Sequence, residues 1–320
     1  MRLIFIFLII LLLEGCNKDT VPKTSLIPEP IQTTDENEIY TNDLTDVLPL
    51  SDIIAKDSRN RLLVEVMKVY DEQNYTGTIP EERLQAFKPK DKASELYYYD
   101  NDELYILLYK ENKQSPFYIM INDQKLIFND DTRYDISTAQ SVMICLYDLN
   151  NDEIPDIIIS DNEMYHSICD NIYLSVGNGK YDEIGSIGFK WLGSDKIPKY
   201  TITLLDNYKV LVEMKELGIK GILSMVEFED TAFKLGWYDE AGKATDYGKG
   251  MVGADSKYCA AYPQIRNYLT DDTGQFFIQI IAPITTGYSS FEFDGGFIFE
   301  WIINTDEKGY ELTDVKIFAK

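Results

Sequence analysis

Asp148-Leu149-Asn150-Asn151-Asp152-Glu153-Ile154-Pro155-Asp156-Ile157-Ile158-Ile159 is the stretch on which the reading of this chain turns. Oxygen-bearing side chains stand at positions 1, 3, 5 and 9 of the run, which then passes straight into three isoleucines. A polar turn feeding a β-branched run reads as a loop followed by a strand. A hard divalent cation takes six to eight oxygens, and a tight loop supplies them when alternate side chains turn inward. Asp148, Asn150 and Asp152 are then side-chain ligands, Ile154 offers its backbone carbonyl and Asp156 closes the site. This spacing predicts a structural Ca²⁺ site. It is not an EF-hand, whose loop ends in a bidentate Glu at position 12, where this chain has Ile159. The competing reading is an Asn/Asp-rich turn that needs no metal.

The acidic positions and the apolar strand behind them resemble the FG-GAP (integrin-type) repeat, whose pattern runs Asp-x-Asn-Gly-Asp-Gly-x-x-Asp before a strand. Asp148, Asn150, Asp152 and Asp156 match; Asn151 and Glu153 stand where the family often has Gly. Asn tolerates a left-handed backbone, and Glu does so at more cost. Val176-Gly177-Asn178-Gly179-Lys180-Tyr181 is similar to the outer hairpin of that repeat. The likeness spans roughly residues 142–190 and implies a β-propeller with calcium loops.

Outward from this loop the same plan, a polar turn and then an apolar strand, recurs. It returns at Asn101–Leu108, Asp206–Val212 and Asp272–Ile278, and more weakly at Asp57–Val64. Taking Asp57, Asp102, Asp152, Asn207 and Asp272 as markers, the spacings are 45, 50, 55 and 65 residues. A second element, a turn before an aromatic-bearing strand, recurs at Gly179–Ile187 and Lys308–Val315, with Asp230–Trp237 a looser relative. The expectation is an all-β fold: a β-propeller-like array of about five blades with short helical inserts. An irregular β-sandwich, or an α+β domain whose hairpins resemble one another by chance, is the alternative. Pro80–Phe87 and Pro263–Leu269 carry helix-start signals and are read as those inserts. Arg61–Tyr70 is ambiguous, its three valines favouring a strand.

Composition narrows the function. With 45% hydrophobic residues the chain can bury a core, and 23 Tyr and 15 Phe favour strands. A net charge of -24 argues against a nucleic-acid partner, which needs a basic footprint, and against docking on anionic lipid.

Met1-Arg2 precedes an unbroken apolar run from Leu3 to Leu13, the form of a secretion signal and too short to span a bilayer. Leu13-Glu14-Gly15-Cys16 resembles a bacterial lipobox, with Glu14 in place of the usual small residue. That resemblance implies a lipoprotein signal peptide over residues 1–15 and a lipidated Cys16. The membrane is then a partner through that lipid, and the protein sits in the cell envelope, facing outside the cytoplasm. Residues 16–42, with Pro22, Pro28 and Pro30 and no hydrophobic period, read as a disordered tether reaching roughly 30 Å. Residues 43–320 form the folded body.

No catalytic set emerges. His166 is the only histidine, and it lies in a polar stretch that reads as a loop. There is no G-x-S-x-G and no phosphate-binding glycine loop. Among 54 acidic residues some pair at glycosidase spacing is guaranteed, so none is singled out. Cys145 and Cys169 flank the loop and its strand, and either bridge or stay as buried thiols; Cys259 makes the count odd. The expected function is a binding or adhesion module for a protein or glycan ligand. The alternative is a secreted glycan-active hydrolase on a five-bladed propeller.

Overall fold

A computed structural model describes residues 44–69, 97–101, 103–112, 114–129, 139–163, 167–190, 198–252, 259–261, 265–286, 292–307 and 309–320. The signal, Cys16, the tether, Asp102, the Pro80–Phe87 segment and His166 lie outside these residues.

The described chain opens with β1 (Leu48–Pro49), helix α1 (Leu50–Lys56) and three two-residue strands, β2 (Asn60–Arg61), β3 (Glu65–Val66) and β4 (Lys68–Val69). Four antiparallel runs follow. The first is β5 (Tyr97–Asp100), β6 (Tyr105–Lys110), β7 (Phe117–Ile121) and β8 (Gln124–Asn129). The second is β9 (Ala139–Tyr147), β10 (Asp156–Glu163), β11 (Ser167–Gly177) and β12 (Lys180–Lys190). The third has three strands, β13 (Thr201–Leu205), β14 (Lys209–Met214) and β15 (Ile219–Ser224), and leads into α2 (Glu229–Lys234) and α3 (Asp246–Met251). The last is β16 (Cys259–Ala261), β17 (Ile265–Thr270), β18 (Phe276–Thr286), β19 (Glu292–Asn304) and β20 (Gly309–Ala319).

The protein is all-β in class, with four sheets among the described residues. The large sheet runs β1-β20-β19-β18-β17-β2, with β16 also on β18. A second runs β12-β11-β10-β9-β3, a third β4-β5-β6-β7-β8, and a small one β13-β14-β15. Four of the five marker turns join the first two long strands of a run: 101–104, 148–155, 206–208 and 271–275. Asp57 ends α1, and the three short strands after it lie one in each of three sheets.

The Ile-Ile-Ile strand shows why the sheets stack. Ile157 and Ile159 pack with Ile106, Ile119, Ile144 and Tyr173 against the β4–β8 sheet. Ile158 points the other way, into the core shared with the large and small sheets. A strand buried on both faces needs no polar alternation, hence the continuous apolar run. The large sheet likewise turns Ile278, Ile280, Phe297 and Phe299 to the main core, while Ile281, Ile298 and Phe318 lie under α1 through Ile53. At Gly295 and Gly296 neighbouring backbone comes so close that a Cβ would strike the carbonyls of Phe318 and Ala282.

Two expectations are corrected. Pro263–Leu269 is not helical where described: Ile265–Thr270 is β17, paired with β18 throughout and with β2 at Leu269 and Thr270. Burial of Tyr268, Leu269 and Thr270 in the sheet outweighs the local Pro signal. Conversely, Asp230–Trp237 is not a turn and strand but α2 and its C-terminal turn, which delivers Trp237 into the core. Cys145 is a free, buried cysteine. Its strand, β9, is separated by β10 from the β11 strand that carries Cys169. Two strand spacings, roughly 10 Å, exceed the reach of a disulfide. Burial pushes the Cys145 thiol up to about 12, so it stays protonated.

Candidate functional site

The loop between β9 and β10 is built around its own carboxylates. Asp148 accepts from the backbone N–H groups of Asp152 through Oδ1 (3.1 Å) and Glu153 through Oδ2 (2.9 Å). Asn150 Oδ1 accepts from Asp152 N (3.0 Å), and Asp152 Oδ1 from Ile154 N (2.9 Å). Each bond ties a side chain to an amide a few residues on, the local pattern that short polar residues favour. The winding needs two left-handed residues, Asn151 at φ 60° and Glu153 at φ 66°. These are the two positions where the resembled repeat often has glycine.

Asp156 differs from the other four positions. It is fully buried at the first position of β10, and both its oxygens are used. Oδ2 accepts from Leu149 N (2.7 Å) at the start of the loop, and Oδ1 from Ser175 N (2.6 Å) on β11. It therefore braces the loop against the neighbouring strand. Burial raises its carboxyl to about 6; the two N–H donors oppose that rise, and the charges of Asp152 and Asp148 add to it. Asn150 Nδ2 makes a second tie, to the Ser175 carbonyl at 3.2 Å. Tyr181 closes the underside, its hydroxyl donating to the Pro155 carbonyl at 3.3 Å.

The structure thus brings Asp148, Asn150, Asp152, Ile154 and Asp156 into one loop. Among the described residues, however, no three acidic, His or Cys side chains converge closely enough to hold a metal as they stand. The donor chemistry suits a hard cation: every candidate atom is an oxygen, and the acids crowd a buried carboxyl. Asp148 and Asp152 would have to turn from the loop amides to share an ion.

The other marker turns lack this set. Asp271 Oδ1 accepts from Thr273 N (2.8 Å) and Gln275 N (3.0 Å), and Thr273 and Gln275 fill positions 3 and 5. Asp239 makes a comparable turn onto Ala241 N and Lys243 N (2.9 Å each) and puts a lysine at position 5. The 148–156 loop is joined to the 271–275 turn by Tyr147, whose hydroxyl donates to the Gly274 carbonyl (3.0 Å) and whose ring stacks on Phe276.

Sequence reading missed a second polar group, in the core between β11 and β17. Arg266 Nη1 stands 2.6 Å from Asp170 Oδ1, with side chains only 3% and 0% exposed. Tyr268 donates to the same oxygen at 2.7 Å, and Arg266 also reaches Ser160. Burial, with Asp170 next, holds the Tyr268 hydroxyl well above its ordinary value. The available signal was a charged residue inside an apolar strand, with nothing local to name its partner. A third group lies on the outer face of the large sheet. Arg59 grips Asp57 (2.7 and 2.8 Å) and Glu300 (2.7 and 3.1 Å) at once, above the Phe277 ring.

Comparison with protein families, curated proteins and solved structures finds no match for this chain. Among the described residues, no helix is long and apolar enough to cross a membrane.

Proposed function

We propose that this chain is a lipid-anchored binding or adhesion module of the cell envelope, whose propeller-like body is stabilised by Ca²⁺ at the 148–156 loop. The observation that carries the calcium reading is the loop itself. Asp148, Asn150 and Asp152 curl inward around left-handed Asn151 and Glu153, over a buried Asp156 whose carboxyl is raised beside two further acids. A cation there would relieve the repulsion among the three carboxylates, with the Ile154 carbonyl as a further ligand. Its chemistry is structural, pinning the loop that joins β9 to β10. Support for a radial, blade-like arrangement is the recurrence of the marker turn between the first two long strands of each antiparallel run. The anchor rests on the Cys16 motif, and the protein or glycan ligand is left to the loops that such a frame displays.

Thermal melting in chelator and in millimolar Ca²⁺, for wild type and Asp152→Asn, tests the calcium reading. Wild type should melt higher in Ca²⁺, with most of the shift lost in the variant. Equal melting of wild type in both buffers rejects it. Incorporation of labelled palmitate, abolished by Cys16→Ser, tests the anchor.

A further inference from the structure

We draw no further inference here: the strongest candidate, the aromatic face of the β4–β8 sheet where Tyr98, Leu107, Tyr109 and Met120 cluster with Tyr105 and Tyr118, carries nothing because nothing among the described residues shows what covers it.

Discussion

Removing the Asp170 carboxylate is the sharpest test of how the β3/β9–β12 sheet is held to the large sheet. Arg266 crosses from β17 to meet Asp170 on β11 at 2.6 Å, with neither side chain more than 3% exposed. An ion pair of this kind contributes little net stability when formed, because both ions lose water, yet breaking it is expensive. In Asp170→Leu the guanidinium stays buried without its carboxylate, and the Tyr268 hydroxyl loses its acceptor. The expected cost is about 3–5 kcal/mol. At roughly 2–4 °C per kcal/mol for large domains, the melting temperature should fall by roughly 10 °C. Arg266→Met should cost a similar amount, because it strands the carboxylate. The double variant removes both charges and replaces them with apolar volume, so it should return to within about 2 kcal/mol of wild type. Urea unfolding followed by tryptophan fluorescence and far-ultraviolet circular dichroism gives all four corners of the cycle. Singles costing less than about 1 kcal/mol, or a double equal to their sum, would refute the picture of a desolvated inter-sheet clamp.

Glu153 sits at φ 66° and is exposed, so Glu153→Gly should raise stability by about 0.5–1 kcal/mol, equally in Ca²⁺ and in chelator, as read from the urea midpoint. Around Arg59, the hydrogen bonds and charges of neighbouring groups hold the carboxyls of Asp57 and Glu300 below their ordinary 3.8 and 4.5, against the opposing effect of burial. A depressed carboxyl contributes stability above its unfolded value and loses it as pH falls through its folded value. Arg59→Met should therefore lower the melting temperature clearly at pH 7, and the gap from wild type should narrow as pH drops below about 4.5; a constant gap would show that the carboxylates are not what Arg59 stabilises. Gly296→Ala forces a methyl into the Ala282 carbonyl at the β18–β19 pairing and should give mainly insoluble protein, whereas Gly250→Ala, in open space, should express normally.

What sequence reading could recover follows from the range of the forces involved. Turn chemistry is local, so the hairpins at 101–104, 148–155, 206–208 and 271–275 were legible from Asn, Asp and Gly followed by apolar residues. Helix starts are weakly determined, and there the reading failed. The proline at 263 precedes a strand because two sheet neighbours bury Tyr268 and Leu269, while Asp230 lies in the first turn of a helix that carries Trp237 inward. The short strands β2, β3 and β4 were out of reach altogether, since two-residue strands display no period, and only long-range pairing defines them. The same holds for Arg266 and Asp170, 96 residues apart in the chain.

Asp156 shows where local and distant information meet. Its spacing from Asp148 placed it in the candidate site, yet its burial depends on Ser175, nineteen residues away on β11. Both oxygens are committed to amides, so a cation at the loop would feel Asp156 first as the residue that holds Leu149 and Ser175 in place. Through Ser175 the loop is tied to β11, the strand that also carries Asp170 and, through it, Arg266 of the large sheet. The loop and the inter-sheet clamp share one strand, a second physical connection to the large sheet beside the Tyr147–Gly274 contact. If the route carries free energy, the calcium-induced rise in melting temperature should be smaller in Asp170→Leu than in wild type; identical shifts would mean that β11 and its Asp170 clamp carry none of the loop's stabilisation.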